Sequence, residues 1–287
     1  MSTSLRTLLD GPGLVVAPGA ADSITARLVQ AAGFDAVYMT GFGATASRLG
    51  APDIGLLTQT EMAEHARNMT RAVSIPVIAD ADTGYGGPSN IERTLLEYAQ
   101  AGVAALHLED QVAPKRCGQM AGIRLLDAEE NAARLRGAVD ARERIDPAGP
   151  LVIGRTDALP AAGVDEALRR ATLYRDAGVD LVFVDGVKTV AEVEAIAAGV
   201  EGPKVLSLVD GTDAARLTAV EVEQLGFSVL FHAVTALFTA TRAVADALAS
   251  LRATGAAGAG PAPHTYADFT ELVDLDHHRD LDDRFGA

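Results

Sequence analysis

Four stretches of the chain repeat one pattern: an amphipathic run, a glycine, then a short apolar run. They read QAAGFDAVYMTG (30–41), AQAGVAALHLED (99–110), RDAGVDLVFVDG (175–186) and EQLGFSVLFHA (223–233). A glycine directly after a helical pattern marks a helix C-cap. A continuous apolar run of a few residues reads as a strand buried on both faces, as in a parallel sheet. Further strand patterns, GLVVAPG (13–19), IPVIADAD (75–82), PLVIGRTD (150–157) and PKVLSLVD (203–210), bring the predicted strands to eight. Helical patterns fill the gaps at 20–32, 60–73, 89–101, 127–143, 164–177, 189–199, 213–225 and 234–253. Eight alternating strand–helix units predict an α/β fold, a (β/α)₈ TIM-type barrel over residues 1–253. The competing open, doubly wound sheet lacks its usual sign, since no Gly-x-Gly-x-x-Gly opens a helix after the first strand.

Beyond the last helix, residues 254–263 are rich in Ala, Gly and Pro and read as a linker. The tail, 264–287, places Phe269, Leu272, Val273 and Leu275 at helical spacing, which predicts an amphipathic helix on an acidic segment. The plainer reading of that tail is a frayed terminus.

Composition narrows the function classes. A net charge of −15 repels phosphate backbones, so a nucleic-acid partner is not expected. No apolar run approaches a bilayer span and the first residues show no apolar signal core, so a soluble cytoplasmic protein without a membrane partner is expected. The single cysteine, Cys117, fits a reducing compartment. It lies in APKRCGQMAG (113–122), a small, basic, glycine-containing segment. Free cysteine is usually a small buried hydrophobe. Here the polar neighbours Lys115, Arg116 and Gln119 point instead to a thiol on a lid, with the two cations expected to lower its pKa.

In a (β/α)₈ barrel, chemistry gathers at the C-terminal ends of the strands. Those ends are polar here: Tyr38 to Gly43, Asp80 and Asp82, Glu109, Arg155 with Asp157, Asp185, Ser207 and His232. Asp80 and Asp82 are two apart and so share a face, with Glu109 on the next strand. Oxygen-only ligands without a Cys/His cluster favour Mg²⁺. The alternative is one aspartate capping the helix near Pro88 and the others solvated. Arg155 suits an anionic substrate, its planar fork matching a carboxylate. An internal salt bridge to Asp157 or Asp185 is the alternative for it.

Taken together, VYMTGFG, ADADTGYGG, LHLEDQ, PKRCG and GRTDA resemble the isocitrate lyase / phosphoenolpyruvate mutase superfamily, most closely its methylisocitrate lyase-like branch, over roughly residues 10–250. The resemblance implies Mg²⁺, with Mn²⁺ as a substitute, held by Asp80, Asp82 and Glu109 partly through water, and with Asp53 as a further acid of the site. It implies that Tyr38, Thr40, Gly41 and Phe42 lie along the 2-oxo acid end of a small carboxylate substrate and that Arg155 binds its oxygens. It implies that Cys117, with Lys115, Arg116 and Gly118 on the same loop, protonates the carbanion left when a carbon–carbon bond breaks. It further implies a homotetramer, a dimer of dimers, in which the C-terminal helix (264–285) is exchanged between subunits. Four positions depart from the family pattern: Gln119 where lyases carry His, Asp185 for Glu, Ser207 for Asn, and His232 where Pro is expected. The 2-oxo end is thus retained and the pocket for the far end altered. The resemblance implies a Mg²⁺-dependent lyase for a 2-hydroxy di- or tricarboxylate of the 2-methylisocitrate or 2,3-dimethylmalate type. Oxaloacetate hydrolase or decarboxylase, phosphonomutase and a non-catalytic binding barrel are the alternatives.

Overall fold

The residues of each strand alternate between two separate apolar environments. Val15, Ala17, Tyr38, Ile78, Ala105, Ile153, Phe183, Val205 and Phe231 pack together inside a barrel. Their neighbours, among them Val37, Met39, Ala79, Leu106, Val152, Val182, Leu206 and Leu230, pack outward under the helices. This is the period-2 geometry of a strand buried on both faces.

A computed structural model describes residues 3–256 and 262–286. Eight parallel strands close in chain order: β1 (Val15–Ala20), β2 (Val37–Met39), β3 (Val77–Asp80), β4 (Ala105–Glu109), β5 (Leu151–Thr156), β6 (Leu181–Val184), β7 (Lys204–Leu208) and β8 (Val229–His232), with β8 pairing back onto β1. Each predicted strand is present. The surrounding helices are α1 (Leu5–Asp10), α2 (Ser23–Ala31), α3 (Gly41–Leu49), α4 (Gln59–Ala72), α5 (Pro88–Ala101), α6 (Ala128–Ile145), α7 (Ala158–Ala162), α8 (Val164–Asp176), α9 (Val190–Gly199), α10 (Ala219–Gln224) and α11 (Thr235–Thr254), followed by α12 (Tyr266–Leu272) and α13 (Leu275–Phe285). The fold is a TIM-type (β/α)₈ barrel.

Three elements were not expected. Helix α1 sets Leu5 into the inner core with Leu8 and Leu9 beside it, closing the N-terminal end of the barrel. The Thr40–Gly43 segment, beyond the end of a predicted strand, is the start of α3: Thr40 is its N-cap and accepts from the Gly43 N–H. Helix α7 follows β5 directly. The stretch expected to be helical over 213–225 begins instead with a 3₁₀ turn at Ala214–Arg216, and α10 starts only at Ala219. The last barrel helix runs to Thr254 and is capped by left-handed Gly255, so it enters the proposed linker, of which residues 257–261 lie outside the described part.

The tail is two helices rather than one. Asp274, left-handed at φ 59°, breaks it between α12 and α13. Arg27 on α2 donates to the Leu272 carbonyl at 3.0 Å, which ties the tail to the barrel. Among the described residues no helix is long and apolar enough to cross a membrane.

Candidate active site

The inward positions of the strands, followed to their C-terminal ends, become polar. After Ile78 comes Asp80; after Ala105 come His107 and Glu109; after Ile153, Arg155 and Asp157; after Phe183, Asp185; after Val205, Ser207. One alternation therefore delivers the inner core and then the site. All of these polar residues are buried. Lys115 and Asp53, brought in by loops, are buried with them.

The first half of the site is acidic. Asp80 Oδ1 accepts from the Asp82 N–H at 2.9 Å and Oδ2 from the Gly41 N–H at 3.2 Å. Asp82 holds φ 47°, an uncommon conformation for a residue with a Cβ. The Lys115 ammonium stands 2.6 Å from Asp53 and 2.8 Å from Asp82. Both oxygens of Glu109 lack a hydrogen-bond partner, and the nearest cation, Arg155, is 3.4 Å away. Burial opposes ionisation of Asp80, yet His107, Lys115 and Arg155 outweigh it and hold its pKa at about 2. Burial lifts Asp82 to about 6 against the pull of Lys115, and lifts Glu109 well above the usual carboxylate range.

The second half centres on Arg155. Its guanidinium meets Asp157 at 2.9 Å and Asp185 at 2.7 Å. The internal salt bridges weighed for this arginine are thus both present, and it also lines the cavity as a substrate-binding group would. Behind it, the Tyr38 hydroxyl and His107 Nε2 share a hydrogen bond of 2.9 Å. Burial keeps His107 neutral, with a pKa of about 4, and raises that of Tyr38.

A cavity of about 110 Å³ opens onto these groups. Tyr38, Thr40, Phe42, Asp53, Asp80, Cys117, Gly118, Gln119, Arg155, Asp185 and Ser207 line it, so most of the sequence-predicted site converges there. The Gln119 amide nitrogen is buried and unpartnered, a donor available to a ligand oxygen. Phe183, Val209, Ala233, Val234 and Phe238 form an apolar wall that was not foreseen.

The lid closes over this cavity. Its base is zipped by Val112 N–H to Arg124 O and Leu126 N–H to Asp110 O, each 2.8 Å. The Cys117 N–H donates to the Asp53 carbonyl at 3.1 Å. A Cβ on Gly118 would lie 2.4 Å from Asp185 Oδ2, so only glycine lets the lid seat this deeply.

Three sequence expectations are corrected here. First, the cations do not activate Cys117. Lys115 turns to Asp53 and Asp82, and the Arg116 guanidinium donates outward to the Ala121 carbonyl. Burial, with Asp185 and Asp53 nearby, lifts the thiol to about 11. Second, Arg116 accordingly reaches neither the thiol nor the cavity. Third, His232 shares the outward parity of Leu230 on β8 and is not part of the cavity wall.

One residue escaped the sequence reading although the signal was present: Gln111 continues the alternation of His107 and Glu109 and so points inward. Phe238 comes from α11, where strand periodicity gives no guide.

The phosphoenolpyruvate phosphomutase family model matches residues 5–252, nearly the whole barrel. The chain belongs to the isocitrate lyase / phosphoenolpyruvate mutase superfamily. It is an enzyme of that superfamily, and its relatives span several reactions on small acids. It is 39% identical to a 2,3-dimethylmalate lyase of Eubacterium barkeri over 287 residues, covering 100% of this chain and 98% of the relative. The structure of an oxaloacetate acetylhydrolase in complex with the inhibitor 3,3-difluorooxalacetate superimposes with a TM-score of 0.92 at 34% identity, covering 100% of this chain and 97% of the other. A phosphonopyruvate hydrolase in complex with oxalate and Mg²⁺ gives a TM-score of 0.87 at 31% identity, covering 98% and 97%.

Proposed function

We propose that the chain is a Mg²⁺-dependent carbon–carbon lyase that splits a 2-hydroxy dicarboxylate of the 2,3-dimethylmalate kind into a 2-oxo acid and a second carboxylate. The observation that carries this reading is Cys117 on a closed lid, lining the same cavity as Arg155, Asp53, Asp80 and Asp185, with burial raising the thiol to about 11. A neutral thiol in that place is a proton donor for a carbanion.

The donor set fits Mg²⁺. Asp53, Asp80, Asp82, Glu109, Asp157 and Asp185 face only two cations, Lys115 and Arg155, so the buried cluster carries an acidic excess. The Glu109 carboxylate has no hydrogen-bond donor of its own. Among the described residues no three acid, His or Cys side chains are gathered closely enough to ligate one metal directly; Mg²⁺ is an ion that commonly keeps several waters. Asp80, Asp82 and Glu109 would hold it, with Asp53 in support. When bound, the ion supplies positive charge to the oxygens of the 2-oxo acid and of the enolate formed on cleavage.

The protein groups then divide the remaining work. The N-terminus of α3, at Thr40–Phe42, and Arg155 orient the carboxylate beside the breaking bond. Among the carboxyls lining the cavity, burial lifts Asp185, which makes it the suited acceptor for the 2-hydroxyl proton, while Asp80 at about 2 is not. Cys117 returns a proton to the carbanion. The lid excludes water meanwhile.

The far end of the substrate meets Phe42, Phe183, Val209, Val234 and Phe238. Among the described residues that line the cavity Arg155 is the one cation, and Gln119 carries no charge, so a further carboxylate at the far end would lack a cation. The cavity is also small beside ordinary ligand sites of roughly 300 Å³ and above. Both features favour methyl substituents over the extra carboxylate of 2-methylisocitrate or isocitrate. Measuring kcat/KM for 2-oxo acid release from 2,3-dimethylmalate, 2-methylisocitrate and isocitrate tests the ranking. A tricarboxylate turned over faster than dimethylmalate would refute it. The small cavity also admits oxaloacetate as a second reading. Acetate and oxalate formed from it, without turnover of any 2-hydroxy acid, would establish hydrolysis instead.

The assembly reading is also ours. Helix α11 buries none of its residues and exposes Phe238, Val244, Leu248 and Leu251, while the tail exposes Tyr266, Phe269 and Phe285. These apolar surfaces support a homotetramer with exchanged tails.

A further inference from the structure

Gln111 sits one alternation beyond Glu109, just past the end of β4, and is 1% exposed. Both ends of its amide are used. Oε1 accepts from the Arg116 N–H at 2.9 Å, and Nε2 donates to the Arg116 carbonyl at 2.7 Å. The second Nε2 proton goes to Asp157 Oδ2 at 2.8 Å. The other oxygen of that carboxylate accepts from Arg155 at 2.9 Å. One buried side chain therefore joins the lid backbone, at the residue before Cys117, to the carboxylate that holds the cavity arginine.

We propose that Gln111 is a positioning residue that latches the lid shut and fixes Cys117 over the cavity. The chemistry is specific to a primary amide of this length. The Arg116 peptide needs one acceptor and one donor from the same group, and Asp157 needs a further donor. Glutamate has the length but no donors, and its charge would face Asp157. Alanine leaves all three groups unpaired. The base of the lid is held independently by the Val112–Arg124 and Asp110–Leu126 backbone bonds, so releasing the latch frees the segment between them without unravelling its anchor. On the far side, Lys115 on Asp53 and Asp82 and the Cys117 N–H on the Asp53 carbonyl are further tethers, but they meet the acid cluster rather than Arg155. Gln111 is thus the hydrogen-bonded link that joins Arg155, through Asp157, to the residue before the thiol.

The latch is testable without substrate because Cys117 is the only cysteine. The rate of its alkylation by iodoacetamide, followed by intact mass at one pH in metal-free protein, reads lid opening, and tryptic cleavage after Lys115 and Arg116 reads the same motion. Gln111→Ala and the near-isosteric Gln111→Glu should both raise the two rates by about tenfold or more, with unchanged far-UV circular dichroism. Should the alanine variant fail to fold, the glutamate variant carries the test. Rates within about twofold of wild type in a folded variant overturn the latch. The claim that the latch serves Cys117 in the reaction rests on the lyase reading and has its own measurement. Turnover of 2,3-dimethylmalate should lose about tenfold or more in kcat with KM changed little. A change confined to KM overturns the positioning role. Fast alkylation in a variant of a wild-type protein that turns over no 2-hydroxy acid would leave the latch standing and overturn the function.

Discussion

The Lys115 ammonium sits between two carboxylates, 2.6 Å from Asp53 and 2.8 Å from Asp82, at the centre of the acid cluster. Lys115 belongs to the lid, so the lid brings its own counter-ion when it closes. Removing that cation while leaving the acids buried is costly, on the order of 3 kcal/mol or more for a paired buried charge. Lys115→Met should therefore lower the urea midpoint of the metal-free protein, and Mg²⁺ should recover much of the loss. An unchanged midpoint would mean that the lysine does not neutralise the cluster.

The same cluster sets a pH dependence. Asp82 is raised to about 6, and Glu109 and Asp185 are raised by burial as well. Groups raised in the folded state bind their protons more tightly there than in the unfolded chain. Their stabilisation is complete below the unfolded carboxylate pKa and is lost as pH rises through the folded value. Asp80, held at about 2, has the opposite sign, but its contribution is already complete above the unfolded value of about 4 and is constant through this window. In EDTA, Asp82 and Glu109 should thus withdraw stability between pH 5 and 7, while His107, lowered to about 4, adds some back as the unfolded imidazole deprotonates at about 6.5; the acids' share is the difference between wild type and Asp82→Asn. Mg²⁺ should narrow the difference. Urea unfolding at the two pH values, with and without the ion, measures it.

Much of this was legible in the sequence: short apolar runs after a helix and a glycine placed eight strands, and the polar residues at the ends of those runs named Asp80, Glu109, Arg155, Asp185 and Ser207. The strand period of two puts these five on the inner face. The period also had the means to exclude His232, whose parity is that of outward Leu230. The thiol chemistry was misread for another reason. Lys115 and Arg116 adjoin Cys117 in sequence, but in three dimensions one is drawn into the acid cluster and the other points outward. Proximity along a loop does not fix the direction of long, charged side chains. Phe238 and the break at Asp274 depend on how helices pack and turn after the barrel closes, which no local pattern encodes.

The raised pKa of Cys117 makes a direct prediction about its reactivity. With the thiol at about 11, the thiolate fraction should climb about tenfold per pH unit from pH 7 to 10 without a plateau. Alkylation rates across that range check it. A plateau near pH 8 would mean that the cations activate the thiol after all.

Gly118 is the tightest point of the lid, since a Cβ there would meet Asp185, Asp157 and Arg155 at 2.4 to 3.0 Å. Gly118→Ala should prevent full closure and lower kcat by about 100-fold, as misplacement of a reacting group by about 1 Å does, with the overall fold retained. Steady-state kinetics and far-UV circular dichroism together separate this from unfolding.

The central claim is that Cys117 donates a proton in a metal-dependent cleavage. The most direct measurement is 2-oxo acid release from 2,3-dimethylmalate by the wild type and by Cys117→Ser, each with Mg²⁺ and with EDTA. The account predicts release by the wild type with Mg²⁺ alone, and a fall in kcat of about 10² to 10⁴ in the variant. Equal turnover by the two proteins, or release that persists in EDTA, would contradict it.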